Sequence, residues 1–270
     1  MAKPILDDEL WTLIEPVLPP PKKRRRRFPG RKPVRNRAAL SAIVFILKTG
    51  IPWELLPQEL GWGCGMTAWR RLRAWQRRGV WDRIHQTLLA HLQEADQIDW
   101  SRALVDSSSV RAVHGGKKTG RNPTDRGKAG SKHHLITDAQ GIPLATTVTG
   151  ANTHDVTQLL PLVEKIPAVR GKPGRPRRRP RRIQGDRAYD SGPHRRALRR
   201  KNIQPVLARR HTEHGSGLGA TRWPVERTIS WLHQFRRLRN RYERCPKLHQ
   251  AFLTLGCSLV CSYFLPTSFC

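Results

Sequence analysis

The apolar pattern of this chain changes period near Trp100, and that change dictates a helical part followed by an α/β part. Before it, apolar residues recur at helical spacing. Ile5, Leu6, Leu10, Trp11, Leu13, Ile14, Val17 and Leu18 form an amphipathic stripe that Pro19-Pro20-Pro21 ends. Leu40, Ile43, Val44, Ile46 and Leu47 mark a second helix, stopped at Gly50-Ile51-Pro52. Residues 53–56 start a short helix, and Gly61, Gly63 and Gly65 mark a turn. Residues 67–77 form a helix with Trp69, Leu72 and Trp75 on one face, and 81–92 form another. Beyond Trp100 the runs shorten. Ala103-Leu104-Val105 reads as a buried strand ending at Asp106. Residues 134–137 and 144–148, joined by Asp138-Ala139-Gln140-Gly141, read as a hairpin. A helix over 155–164, with Thr153 or Asp155 as its cap, is followed by Ile183-Gln184-Gly185, a strand that delivers Asp186. A helix over 191–201, a strand over 204–207, a long helix over 222–241 and an apolar helix over 246–265 complete the order.

Charge selects the partner. Lys and Arg total 51 against 20 Asp and Glu, a formal net charge of +31. A field of that sign recruits polyanions and is foreign to ordinary metabolic enzymes. Membrane spanning is not expected, because the longest apolar run, 251–265, is interrupted by Thr254, Ser258 and Ser262 and falls short of roughly 20 residues. The acidic N-terminus does not resemble a signal peptide, and five scattered Cys read as reduced cytosolic thiols. Ten of the 16 residues over 22–37 are Lys or Arg, a basic arm suited to phosphate contact through Arg24, Arg25, Arg26, Arg27, Arg31 and Lys32. A second basic segment, 170–182, holds eight Lys or Arg among Gly and Pro and is expected to be disordered. Helix, short helix, glycine turn and arginine-faced helix is the order of a helix-turn-helix unit, with Arg70, Arg71 and Arg73 facing a major groove. An ordinary helical domain with a solvated basic face is the plainer alternative.

Three carboxylates stand out by position: Asp106 and Asp186, each after a strand, and Glu226 in the first turn of the long helix. Adjacent strands that end in Asp bring rigid carboxylates within reach of shared cations. Hard cations such as Mg²⁺ take such oxygen ligands, and a pair of them activates an attacking hydroxyl and stabilises a leaving oxygen. Taken singly, each acid is more often a cap, a turn residue or a helix-dipole partner. On the long helix Arg222, Glu226, Ser230, His233 and Arg237 fall on one face, while Trp231, Phe235 and Leu238 fall on another.

Several stretches together resemble one family. These are Thr49-Gly50-Ile51-Pro52-Trp53 and 75–81 in the helical part, Val105-Asp106-Ser107-Ser108, Gly127-Lys128-Ala129-Gly130-Ser131-Lys132-His133-His134, Gly185-Asp186-Arg187-Ala188-Tyr189-Asp190, and Arg222-Trp223-Pro224-Val225-Glu226-Arg227-Thr228-Ile229-Ser230-Trp231-Leu232. Over residues 5–260 the chain resembles bacterial insertion-sequence transposases of the DDE type, in the insertion sequence five family. The resemblance implies an RNase H-like α/β catalytic domain, a mixed sheet flanked by helices, behind a small helix-turn-helix-like domain. It implies Asp106, Asp186 and Glu226 as catalytic ligands of two Mg²⁺ ions, with Mn²⁺ as a substitute. It further implies cleavage at element ends and strand transfer into target DNA, by a homodimer or higher assembly on terminal inverted repeats in the bacterial cytoplasm at the nucleoid. The broader superfamily pattern has a Tyr and a Lys where this chain has Gly219 and His233, so the roles of those two residues do not carry over.

The expected organisation is a helix over 1–21, the basic arm over 22–37, a helical DNA-binding domain over 38–95, and a catalytic domain over 100–265 carrying the basic insertion. Lys128, Lys132, Arg222, His233 and Arg237 join the arm and the arginine-faced helix as expected DNA contacts. Cys245, His249, Cys257 and Cys261 do not have standard zinc-finger spacing. His133 and His134 read as polar strand residues or DNA contacts. No nucleotide-binding glycine motif is present, so no nucleotide cofactor is expected. A nuclease of the same fold without strand transfer, and a non-catalytic helix-turn-helix regulator, are the alternative functions.

Overall fold

The computed structural model describes residues 4–20, 26–210 and 219–266. Helix α1 (Asp8–Ile14) is started by Asp7, whose carboxylate accepts from the Leu10 amide at 2.6 Å. Helix α2 (Asn36–Thr49) is buried along most of its length and stops at Gly50, in the left-handed region at φ +72°. The short helix expected next is two 3₁₀ turns, Trp53–Leu55 and Gln58–Leu60, because Pro52 and Pro57 divide the segment. Helix α3 (Gly65–Arg77) must begin with glycine, since a Cβ there would lie 1.6 Å from the Trp53 carbonyl oxygen. It buries Ala68, Leu72 and Trp75, and Trp75 meets Trp81 of α4 (Val80–Glu94) edge to face, ring centres 5.5 Å apart.

The strands are β1 (Ala103–Ala112), β2 (Gly120–Arg121), β3 (Ala129–Asp138), β4 (Pro143–Gly150), β5 (Arg182–Gly185), β6 (Gln204–Leu207) and β7 (Asn240–Arg241). The helices between and after them are α5 (Val156–Lys165), α6 (Gly192–Arg200), α7 (Gly219–Gln234), α8 (Arg236–Arg239) and α9 (Pro246–Ser262). β4, β3 and β1 pair antiparallel, and β5 and β6 continue parallel from β1. Three antiparallel strands followed by two parallel ones, with helices packed around them, is the RNase H-like α/β arrangement.

Three local departures from the sequence expectation have physical causes. β1 does not end at Asp106; its ladder with β3 runs on to Arg111 opposite Gly130, carrying the polar Ser107-Ser108-Ser109 inside the strand. The long helix breaks at Phe235, where ψ is 104°. Leu232, Phe235 and Leu238 wrap around Gly256 of α9, where a Cβ would approach Leu238 to 2.8 Å, so packing overrides helical continuity. The segment 170–182 is docked and not loose: Val169 and Arg177 exchange backbone hydrogen bonds of 2.8 and 3.0 Å, and Arg178 Nε donates to the Ile166 carbonyl at 3.0 Å.

α9 is buried along nearly its whole length and packs on both α4 and β4, so one apolar cluster runs from Leu6 to Cys261. Its Cys257 and Cys261 are buried, and burial pushes the Cys257 thiol up to about 12. Among the described residues no helix is long and apolar enough to cross a membrane. His85 of α4 is enclosed against β4, and its Nε2 donates to the Pro143 carbonyl at 2.7 Å. Burial lowers its pKa to about 4 from 6.5, against the pull of that bond and of Asp82. The unfolded chain therefore takes up a proton that the folded chain refuses, and this contribution to stability is lost as pH falls from 6.5 towards 4. His85→Gln should lose less stability than the parent across that window, measured by urea midpoints. An identical loss in both proteins would show that His85 is not the group responsible.

Candidate active site

β1 and β5 set two carboxylates side by side. Leu104 is in register with Gln184, and two residues further along each strand stand Asp106 and Asp186. Gly185 lets the strands close up at that point, since a Cβ would fall 2.9 Å from Val105 and 3.2 Å from Tyr189. Asp186 then caps a 3₁₀ turn (Arg187–Tyr189), its Oδ1 accepting from the Ala188 amide at 2.9 Å. Asp106 Oδ1 accepts from the Ser107 amide at 2.8 Å, and its Oδ2 lies 3.2 Å from the Arg222 guanidinium.

Arg222 and Glu226 come from α7, which the hairpin fixes in place. Thr228 Oγ1 donates to the Gly141 carbonyl at 2.6 Å, Arg227 donates to Gln140, and Val225 is fully buried. At the far end of α7, His233 Nε2 lies 3.1 Å from Ser108 Oγ. Glu226 is exposed, while Asp106 and Asp186 are half-buried. Burial raises the Asp106 pKa to about 6; the Ser107 amide and Arg222 oppose that rise, whereas Asp186 and Glu226 add to it. Asp106 therefore feels both of the other acids.

This donor set fits a hard divalent cation: it consists of carboxylate oxygens that repel one another, and a guanidinium already rests on one of them. Among the described residues no group of three His, Cys, Asp or Glu is gathered closely enough to share an ion, so these acids are neighbours and not a closed coordination set.

On the opposite face of β1, Ser107 pairs in register with His134, and Ser109 with Lys132. Asp155 reaches this face. Its Oδ1 accepts from Ser107 Oγ at 2.7 Å and lies 3.0 Å from Lys132 Nζ and 3.6 Å from His134 Nδ1. Sequence pattern alone makes Asp155 a helix cap, yet its side chain makes no capping bond to α5. The signal that points to it is Lys132, a cation within a strand that needs an acid.

The expected DNA contacts divide by environment. Arg26, Arg27, Arg31 and Lys32 are exposed in the arm, Arg70 and Arg73 on α3, and Lys128 before β3. Arg24 and Arg25 lie outside the described residues. Arg73 stacks on Trp69 at 5.5 Å. Arg71 turns inward, donating to Asn36 Oδ1 at 2.6 Å and to the Val34 carbonyl at 3.2 Å. Lys132 is held by Asp155 and the Thr153 carbonyl, and His233 is half-buried, with burial lowering its pKa. Arg237 requires a correction. The break at Phe235 takes it off the face shared by Arg222 and Glu226. It is buried, its Nε donates to Glu243 at 2.8 Å, and its Nη1 donates to the carbonyls of Gly50 and Ile51 at 3.1 and 2.9 Å. Its guanidinium is taken up by partners inside the fold.

Residues 101–261, more than half of the chain, match the family described as "Transposase DDE domain", and residues 6–85 match "Putative transposase of IS4/5 family". The chain is 63% identical over 147 residues to a putative transposase for insertion sequence element IS402 of Burkholderia cepacia, covering 54% of this chain and 70% of that protein. An IS402 uncharacterized 16.2 kDa protein of the same organism is 68% identical over 123 residues, 46% of this chain and 84% of that one. A solved pre-cleavage Mos1 transpososome is similar over 92% of this chain and 83% of that chain at 11% identity, with a TM-score of 0.28. That likeness is loose; strand order and direction carry the fold assignment.

Proposed function

The chain belongs to the DDE-domain transposases, and on that premise we propose that Asp106, Asp186 and Glu226 are its catalytic carboxylates, cutting DNA at element ends and joining the freed ends to target DNA. One observation carries the assignment. Asp106 and Asp186 stand at the same level of adjacent parallel strands, and burial together with both other acids raises the Asp106 pKa to about 6. Members of this family depend on divalent metal; in this reading the ions are two Mg²⁺, replaceable by Mn²⁺. Bound by these carboxylates, they supply Lewis-acid activation of the attacking oxygen and neutralise charge at the leaving oxygen.

The chain's own residues do the positioning. Asp106 is held rigidly by the β1 ladder and by the Ser107 amide. The hairpin tip and the Ser108–His233 contact hold α7, and hence Glu226, over the face of the sheet that carries Asp106. Arg222 balances Asp106 in the free protein, and its guanidinium would suit a phosphate oxygen beside these carboxylates were they holding cations. Water is the nucleophile of the first step, and a DNA 3′-hydroxyl that of the second. Because two ends are joined, the working form has at least two copies on DNA.

DNA recognition falls to the helices over 38–95, with the arm over 22–37 adding sequence-independent grip. Neutralising Arg26, Arg27, Arg31 and Lys32 should weaken binding to every duplex. It should also flatten the plot of log affinity against log salt, by about 0.9 in slope for each phosphate no longer neutralised. Replacing Arg70 and Arg73 should instead narrow the preference for end DNA over random DNA. Equal weakening on both DNAs in the second pair would remove α3 as the reading helix. The activity itself is tested by incubating the protein with its flanking DNA ends and Mg²⁺ and mapping the nicks. A parallel reaction with pre-cleaved ends distinguishes strand transfer from hydrolysis alone.

A further inference from the structure

The basic segment 170–182 enters β5 at the end opposite Asp186. β5 is four residues long, which puts about 13 Å of strand between the segment and the carboxylate. The segment is built to hold a shape. Gly171, at φ +115°, is pressed so closely on α4 that a Cβ would lie 2.2 Å from the Ala90 carbonyl oxygen. Pro173, Pro176 and Pro180 restrict its backbone, the Val169–Arg177 bridge closes it, and the Arg181 amide donates to the Trp100 carbonyl at 2.9 Å. Trp100, Arg175 to Arg179 and Arg181 line a concavity of about 440 Å³.

The charge on this surface is one-sided. Residues 170–182 contain eight Lys or Arg and no acid, and α6 adds Arg199 and Arg200 beside them, with Arg179 reaching the Lys201 carbonyl at 3.5 Å. Two of the nearby acids are already matched: Asp96 is paired with Lys172, and Glu164 with Lys201 at 3.1 Å. Arg175, Arg177, Arg182, Arg199 and Arg200 are exposed. Cations displayed on a fixed scaffold bind a polyanion without the ordering cost that a loose tail would incur.

We propose that this surface, formed by 170–182 and the C-terminal end of α6, is a second DNA-binding site that grips the backbone of a duplex other than the one being cut. The proposal rests on the transposase reading, in which an end and a target must be held together. It assigns the target-side grip to the end of β5 opposite the carboxylates. Contacts there are to phosphate, so the site takes any sequence.

The test uses the full chain on bead-held end DNA and measures capture of a labelled random-sequence duplex, with nicking of the end measured in the same tube. The variant combines Arg175→Gln, Arg177→Gln, Arg182→Gln, Arg199→Gln and Arg200→Gln. It should nick as the parent does but capture the second duplex about tenfold less or worse, with a flatter salt dependence of capture. Capture equal to the parent's would overturn the proposal, as would a parent that captures no second duplex. A parent that captures the duplex but never nicks would instead count against the catalytic reading, leaving the second site standing.

Discussion

Asp106→Asn, Asp186→Asn and Glu226→Gln should each lower end cleavage by about a thousandfold or more while leaving DNA affinity intact. The metal contribution to such a transition state is several kcal/mol, and ~4 kcal/mol corresponds to about a thousandfold. Each change keeps shape and removes charge, so folding should survive. Affinity should hold because the exposed cations of the arm and α3 lie on other elements. It should even rise slightly in the free protein, since each change removes a negative charge that repels phosphate. Gel-shift titration beside a nicking assay separates the two effects. A variant that nicks at near the parental rate would remove its residue from the catalytic set.

Arg237→Ala should destabilise the fold by ~3–5 kcal/mol, the usual cost of breaking a buried ion pair from one side. Arg237 bridges Glu243 to the carbonyls that end α2, and stacks against Tyr242 and Trp53 at 5.0 and 5.7 Å. Burial acts to raise the Glu243 pKa, but hydrogen bonds and charge from His249 and Arg237 outweigh it and keep the carboxyl below its ordinary value. A carboxyl depressed in this way stabilises the fold above its unfolded pKa and loses that contribution as pH falls through the folded one. Without Arg237, the stranded carboxylate is the penalty. Arg237→Met combined with Glu243→Met should therefore recover much of the stability. Urea midpoints measure both variants. A change of less than about 1 kcal/mol in Arg237→Ala would show that the pair bears little of the fold.

The two aspartates are accessible to sequence reasoning because a short apolar run ending in a carboxylate is a local pattern. The sequence order from the Ala103 strand to the Gln204 strand is likewise a matter of local period, and it predicts the sheet and its hairpin. What escapes is set by distant partners. Ser107-Ser108-Ser109 does not read as strand; it becomes one because β3 continues alongside it. Phe235 has helical neighbours on both sides, and only the close approach of Gly256 shows why the helix must break there. Arg237 and Asp155 fit helical patterns, whereas their roles depend on Glu243 and Lys132, residues that local spacing does not pair with them.

Helix α9 comes late in the chain but packs against α4, near its beginning. During synthesis, therefore, the early helices leave the ribosome with their apolar seat still open, and they must wait for α9 before the core can close. A product terminated ahead of Pro246 would expose that seat to proteases and chaperones. Chains that stop before Pro246 should thus be rapidly cleared and should not persist as DNA-binding competitors of this chain.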